Sequence, residues 1–364
     1  MNRSFLTALS NGLVLTVLVG CGCREQVVYD TPIPVDDTFE RVPATGDALA
    51  RYEAAAAYSE AHGGRAFMVL EGDTVVFETG QNGHSLAEPH HLYSGTKSFS
   101  CALFGALRQD GVLSEDQSVL DTIPELADTD PDRAALLTVD HLLHLTGGKR
   151  QPLSLTLDLL SATPRIDDKY TYAVELGWKT DPGEVYAYGP TNFLLFGELV
   201  RRTAGDPLDV LDERVFDPIG MRYAGWIRDG AGNPALSAGA FTTANEWAKF
   251  GVLARDDGEF LGQQILEPGS IHDCFEGSEQ NPAYGHFWWL NQDVGDDVQL
   301  VAERALEEDG PIIWNDGPAD LVAAAGHDDQ RLYVVPSEDL VVVRLSNGHR
   351  NFKDAELLKR IFGE

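Results

Sequence analysis

The sequence is poor in basic residues and lacks the usual metal-binding patterns of cysteine and histidine. Its 364 residues include 27 Lys and Arg against 58 Asp and Glu, a formal net charge of −31. This balance argues against a nucleic-acid partner, because phosphate binding needs a basic face. We interpret the acidic excess as a solvated surface. The 4 cysteines and 10 histidines form no C-x-x-C or H-E-x-x-H pattern, so we expect neither a cofactor nor a bound metal.

The N-terminal hydrophobic run is too short for a comfortable transmembrane helix. It covers residues 12–20, follows a short basic start at Arg3 and fits the core of a signal peptide. It ends in Leu18-Val19-Gly20-Cys21, which resembles a bacterial lipobox and implies cleavage before Cys21 and lipidation of its thiol. We therefore expect residues 1–20 to be a lipoprotein signal and the protein to be exported and lipid-anchored in the bacterial cell envelope. The alternative is an ordinary signal peptide followed by an incidental cysteine.

The rest of the chain divides into a tether and one large folded unit. Residues 21–45 contain Pro32, Pro34 and Pro43 among many charges and are interpreted as an extended tether. Its reach would be roughly 80 Å at most. Residues 46–364 form the predicted domain, and the chain is 43% hydrophobic, which is enough for a sizeable core.

Strand patterns lie at both ends of this domain, and helical patterns lie between them. The predicted elements at the two ends are a helix (47–62), a two-stranded β-hairpin (66–70 and 74–78), two more strands (331–335 and 340–345) and a terminal helix (354–362). Residues from about 115 to 285 are rich in helical patterns, including one that Thr191 would cap. We therefore expect an α/β (α+β) fold, with one antiparallel sheet built from both chain ends, flanking helices and an inserted helical region.

A short motif near the start of the domain suggests catalysis. Ser94-Gly95-Thr96-Lys97 precedes an apolar segment, residues 98–107, which predicts a buried helix. Residues three apart share a helix face, so Ser94 and Lys97 should lie together. A lysine removed from water loses proton affinity and can take the proton of a serine hydroxyl, as acyl transfer requires. S-x-x-K is common by chance, but the G-x-S-x-G pattern of the rival α/β-hydrolase fold is absent around Ser94.

Four further segments extend this pattern along the chain. They have the sequences LTVDHLLHLTGG, PGEVYAYGPTN, FDPIGM and SAGAFTT, at residues 137–148, 182–192, 216–221 and 237–243. Together with the first motif, and in this order, they resemble the serine β-lactamase and penicillin-binding family in its class C and esterase-like branch. The resemblance implies a β-lactamase/transpeptidase-like fold and hydrolysis through a seryl intermediate.

The resemblance also implies catalytic roles for three residues. Ser94 would attack a carbonyl group and form an acyl-enzyme, with Lys97 within reach of its Oγ. Tyr188, in the position of the second motif, would face the same pocket. Either Lys97 or Tyr188 would be the base, and the residues do not decide between them. The alternative for Tyr188 is a buried aromatic residue near a turn.

Two backbone N–H groups would hold the oxyanion in such an enzyme. One belongs to Ser94, at a helix N-terminus. The other belongs to His327, which follows Ala324-Ala325-Gly326, the best counterpart of the family's third motif. Gly326 would allow a substrate to approach the strand closely, and Ala325 would line the same edge. His327 could also assist proton transfer, although a polar wall residue is the alternative for its side chain.

Two positions depart from the family pattern and narrow the expected substrate. Pro190 stands where the second motif, Y-x-N, has its asparagine, and Asn192 lies two residues too late to replace it. Ala324 stands where the third motif has a cation. Both losses argue against efficient β-lactam hydrolysis. We therefore expect a metal-free, carboxylesterase-like serine hydrolase that cleaves an ester or amide in a small-molecule or cell-wall-like substrate.

Other functions and pairings stay open from the sequence. A D-alanyl-D-alanine peptidase or β-lactamase is the alternative within enzymes, and a non-catalytic ligand-binding lipoprotein on the same scaffold is the alternative of another class. A disulfide between Cys101 and Cys274 is neither supported nor excluded by their positions. His141 and His144 have a spacing that could bind a metal, but the segment that contains them favours structural roles. The oligomeric state is open.

Overall fold

A computed structural model describes residues 29–159, 161, 164–294, 313–349 and 351–364. The predicted signal peptide and the predicted lipidation site at Cys21 lie outside these residues. Within the described ranges, no helix is long and apolar enough to cross a membrane.

In the described parts of the chain, twelve strands form three sheets. In chain order they are β1 (Glu40–Arg41), β2 (Gly64–Glu71), β3 (Thr74–Gly80), β4 (His90–His91), β5 (Gly225–Trp226), β6 (Ala240–Thr242), β7 (Glu259–Phe260), β8 (Gln263–Gln264), β9 (Trp289–Leu290), β10 (Val322–Gly326), β11 (Gln330–Val335) and β12 (Leu340–Ser346). The largest sheet has seven strands in the order β1-β3-β2-β12-β11-β10-β9. The two smaller sheets have the orders β4-β6-β5 and β7-β8.

The large sheet joins the two ends of the domain, as the strand patterns predicted. β2 and β3 form the expected hairpin, and β12 pairs with β2 so that Val342 lies opposite Val69. All pairings in this sheet are antiparallel except that of β1 with β3, which is parallel. The expected α/β fold class is thus confirmed, with the correction that the sheet is mixed rather than purely antiparallel.

Helices cover both faces of this sheet. The α-helices among the described residues are α1 (Gly46–Ala61), α2 (Phe99–Gln109), α3 (Pro131–Ala134), α4 (Val139–Leu143), α5 (Leu153–Leu159), α6 (Lys169–Glu175), α7 (Thr191–Thr203), α8 (Pro207–Leu211), α9 (Ala244–Arg255) and α10 (Asp354–Phe362). On β12, Val341 would contact a Cβ placed on Gly251 of α9, whereas Arg344 donates to Ser59 Oγ of α1. Strand residues three apart point to opposite faces, so α1 and α9 lie on opposite sides of the sheet.

The predicted tether is packed against the domain where it is described. Ile33 and Phe39 are buried, and β1 adds a strand to the edge of the large sheet. Asp36 forms an ion pair with the buried Lys249 at 2.7 Å. Burial raises the pKa of Asp36, but hydrogen bonds from Lys249 and Thr38 outweigh it and lower the pKa to about 2. Residues 29–45 therefore do not form the free extended tether that their prolines and charges suggested.

The middle of the chain also differs in detail from the predicted helical insertion. It contains β5 to β8 as well as helices, and its last helix, α9, packs on the large sheet. Thr191 is not the cap of α7 but its first residue, with Pro190 in the capping position. Cys101 and Cys274 are both buried and form a disulfide, which decides the pairing that the sequence left open.

Candidate active site

Ser94 and Lys97 lie in a tight 3₁₀ turn, Tyr93–Ser98, that leads directly into α2. The turn replaces the first turn of the helix expected there, and side chains three apart share one face of a 3₁₀ turn. Lys97 Nζ donates to Ser94 Oγ at 2.8 Å. The structure thus brings the candidate nucleophile and the candidate base into direct contact.

The Lys97 ammonium is held inside the protein. Lys97 is 5% exposed, and its Nζ donates a second hydrogen bond to the Ser237 carbonyl at 2.9 Å. The same nitrogen lies 4.8 Å from the centroid of the Tyr188 ring and 5.3 Å from that of Phe193. These aromatic faces attract the cation and limit its movement. Sequence reasoning placed Ser237 in a matched segment without a role, because a backbone acceptor leaves no side-chain signal.

Tyr188 belongs to an aromatic cluster beside Lys97. Its ring stacks on Trp289 at 5.5 Å and meets Tyr284 edge-on at 6.0 Å between centroids. Tyr284 and Trp289 are themselves packed edge to face at 4.8 Å. Tyr188 is partly exposed, whereas Tyr284 and Trp289 are buried behind it, so one side of the site is backed by packed aromatic rings.

The end of β10 lies against the turn that carries Ser94. A Cβ on Gly326 would lie 2.0 Å from the Leu92 carbonyl oxygen and 3.0 Å from the Gly95 nitrogen. Only glycine therefore allows the strand and the turn to approach this closely. Ala325 is buried just before it, and His327 just after it is 69% exposed. Gly326 and His327 thus lie at the contact between β10 and the turn, and Ala325 precedes them in the strand.

The residue before Ser94 has a left-handed backbone conformation. Tyr93 has φ +47°, which is rare for a residue with a side chain and costs on the order of 1 kcal/mol. Its ring is fixed between His91, at 3.9 Å, and His327, at 5.5 Å between centroids. His91 also hydrogen-bonds the Ala238 carbonyl through Nε2 at 2.6 Å. Burial lowers the pKa of His91 to about 4, so this ring is neutral at pH 7.

Comparison with known proteins agrees with the sequence resemblance. A family model described as Beta-lactamase matches residues 26–362. The chain belongs to the β-lactamase family. This membership makes it a serine hydrolase.

Individual relatives of this family member are distant. A 6-aminohexanoate-dimer hydrolase from Paenarthrobacter ureafaciens is 22% identical over 316 residues, which cover 78% of this chain and 72% of that protein. A Bacillus anthracis structure assigned as a 6-aminohexanoate-dimer hydrolase has a TM-score of 0.70 at 20% identity, over 93% of this chain and 89% of that one. D-alanine carboxypeptidase AmpC from Burkholderia cenocepacia has a TM-score of 0.61 at 18% identity, over 87% and 98%. At these identities the two structures show a shared fold.

The two departures from the family pattern lie at the site. Pro190 precedes α7 as its cap, and Ala324 is buried in β10, so neither offers a polar side chain. Asn192 lies in α7, as expected, and its side chain is buried against Gly147. Neither departure alters the contact between Ser94 and Lys97.

Three side chains of the types that bind metal ions lie close together at the end of α4. Among the described residues, Asp140, His144 and His286 are the group of three whose ligand atoms lie within 4.8 Å of one another. His141 is not part of it, because its Nδ1 accepts a hydrogen bond from the Thr138 N–H and completes the cap of α4. The possible metal-binding pair of His141 and His144 is therefore replaced by a group that contains His144 but not His141.

Proposed function

We propose that the chain is a carboxylesterase-like hydrolase that cleaves an ester or amide through an acyl-enzyme on Ser94. The observation that carries this proposal is the 2.8 Å contact between Lys97 Nζ and Ser94 Oγ, with Lys97 buried and held by the Ser237 carbonyl. A buried lysine that has lost its proton is a base within hydrogen-bond reach of the serine, as nucleophilic catalysis requires.

In the proposed reaction, Ser94 Oγ attacks the substrate carbonyl carbon while its proton passes to Lys97 or Tyr188. The carbonyl electron pair moves to oxygen, where the N–H groups of Ser94 and His327 would stabilise the charge. Collapse of this intermediate expels the alcohol or amine, which takes the proton back. Water then repeats the same steps on the acyl-enzyme, releases the acid and restores Ser94.

The surroundings of the pair favour an uncharged acyl group. Pro190 and Ala324 remove the amide and the cation with which the family pattern would hold a peptide amide or a carboxylate. The partly exposed Tyr188 ring, packed on the buried Tyr284 and Trp289, offers an apolar contact instead. Esters with apolar acyl groups should therefore be better substrates than β-lactams. A linear amide is the second candidate, because a relative acts on a 6-aminohexanoate dimer.

The proposal is tested with four probes and one variant. Purified full-length protein and Ser94→Ala would be compared on a short-chain nitrophenyl ester, the matching nitroanilide, nitrocefin and a fluorescent penicillin. Ester turnover that is lost in Ser94→Ala supports the proposal. Nitrocefin turnover would favour a β-lactamase, and stable penicillin labelling without turnover would favour a D-alanyl-D-alanine peptidase. Equal behaviour of both proteins with every probe would refute the assignment of Ser94, and the absence of turnover and labelling in both would favour the binding-protein alternative.

We also propose that the protein is exported and anchored to a membrane through lipid on Cys21. Support comes from the lipobox-like ending of residues 12–20 and from the Cys101–Cys274 disulfide, since disulfides persist in oxidising compartments such as the cell envelope. Metabolic labelling with a radioactive fatty acid in a bacterial host should mark the wild type and not Cys21→Ala. Equal labelling of both would refute the anchor.

A further inference from the structure

Two imidazole rings from distant parts of the chain converge on one carboxylate oxygen. Asp140 Oδ1 lies 2.9 Å from His144 Nδ1 and 3.6 Å from His286 Nε2. The His144 and His286 side chains are 14% and 8% exposed, and Asp140, at 43%, opens the cluster to solvent. The group is thus partly enclosed but reachable from outside.

The separations suit a small tetrahedral metal ion. Zinc binds nitrogen and carboxylate oxygen at about 2.0–2.2 Å, which places neighbouring ligand atoms about 3.3–3.5 Å apart. The two measured separations bracket that value, and all three ligand atoms lie within 4.8 Å of one another. A point close to ligand distance from all three therefore exists with only small side-chain movements.

The outer hydrogen bond of His144 has the arrangement of a metal ligand. His144 Nδ1 lies 2.9 Å from Asp140 Oδ1, and Nε2 lies 3.4 Å from the Glu276 carbonyl oxygen, which can accept a hydrogen bond. With an ion bound at Nδ1, the ring hydrogen would lie on Nε2 and point to that carbonyl. Metal-bound histidines commonly donate their other N–H to a backbone carbonyl in this way.

We propose that Asp140, His144 and His286 form a binding site for a divalent transition-metal ion of the zinc type. Two imidazole nitrogens and one carboxylate oxygen select such ions over Mg²⁺ and Ca²⁺, which prefer oxygen ligands. Water would complete the coordination on the exposed side of Asp140. The site uses none of the side chains placed in the proposed catalytic machinery.

The position of this metal site indicates a structural role that would also affect the active site. His144 directly follows α4, whereas His286 begins the segment His286–Trp289, whose last residue stacks on Tyr188. Within that segment the Phe287 carbonyl accepts a hydrogen bond from Ser98 Oγ at 2.8 Å, next to the catalytic turn. An ion bound at the site would fasten this segment to the end of α4 and stiffen the aromatic wall of the pocket.

Metal binding is tested on the full-length protein after chelator treatment and dialysis. Titration with Co²⁺, followed by its visible absorbance, and with Zn²⁺, followed by calorimetry, should show one ion per chain. His144→Gln and His286→Gln should each weaken binding about tenfold or more. His141→Gln, on the same helical turn but outside the cluster, is the matched control and should bind as tightly as the wild type. The thermal midpoint should rise more with Zn²⁺ in the wild type and the control than in the two cluster variants.

Each other outcome would overturn the proposal. Absence of binding by the wild type refutes the site, and equal affinity in all four proteins assigns the ion to another place on the surface. If His286→Gln does not fold, X-ray absorption of the zinc-loaded wild type decides, since the site requires two imidazole ligands and one carboxylate. A spectrum with oxygen ligands alone would contradict it.

Discussion

Replacing Gly326 with alanine tests whether the contact between β10 and the Ser94 turn matters for catalysis. The new Cβ would lie 2.0 Å from the Leu92 carbonyl oxygen, whereas a carbon and a carbonyl oxygen need about 3.3 Å. The strand end must therefore retreat from the turn by about 1.3 Å. A displacement of about 1 Å at a catalytic centre costs roughly 100-fold, and loss of one oxyanion donor costs about 100-fold to 1,000-fold.

We expect kcat for a nitrophenyl ester to fall by about 100-fold in Gly326→Ala, with a small change in the thermal midpoint. Gly177→Ala is the matched control, because its Cβ would meet only the Arg150 side chain, at 3.7 Å. Circular dichroism and thermal melts of both variants would show that they fold. Wild-type kcat in a folded Gly326→Ala would refute the inference that this edge serves the reaction.

A buried lysine, a buried histidine and a buried disulfide give three further predictions. Lys97→Met removes the proposed base, so kcat should fall at least about 100-fold while the fold survives; unchanged ester turnover would contradict the role. Burial lowers the pKa of His91 from 6.5 to about 4, so between pH 4 and pH 6.5 the unfolded chain binds more protons than the folded chain. The free energy of unfolding should therefore rise with pH by up to about 3 kcal/mol. In urea titrations from pH 4 to pH 7, the free energy of unfolding of His91→Gln should depend less on pH than that of the wild type, and an equal pH dependence would refute this prediction. The double variant Cys101→Ser, Cys274→Ser lacks the disulfide, which joins residues 173 apart in sequence, so its free energy of unfolding should be lower by about 4 kcal/mol. An unchanged denaturation midpoint would argue against the disulfide.

Features encoded in nearby residues could be predicted from the sequence. The Ser94–Lys97 contact depends only on a spacing of three in a helical turn, and the β2–β3 hairpin depends on two apolar runs around a short polar turn. The order of motifs then allowed the family resemblance to supply the fold. Each of these signals lies within a short stretch of chain or in the order of such stretches.

Features that depend on distant partners could not be predicted in this way. The Lys97 bond to Ser237 joins residues 140 apart and uses a carbonyl that every residue has. Residues 29–45 resembled a tether because of their prolines and charges, but the ion pair of Asp36 with Lys249 becomes visible only when both are placed in the fold. His286 likewise meets His144 only through the packing of its segment against α4.

Ser94 is proposed as the nucleophile that forms the acyl-enzyme, and a probe that bonds covalently to that nucleophile tests this role. Full-length wild type, Ser94→Ala and Lys97→Met would be treated with a fluorophosphonate probe, digested and mapped by mass spectrometry. We expect one label per chain, on the peptide that contains Ser94, no label in Ser94→Ala and much slower labelling in Lys97→Met. A label on another residue, or ester turnover by a wild type that the probe does not modify, would contradict it.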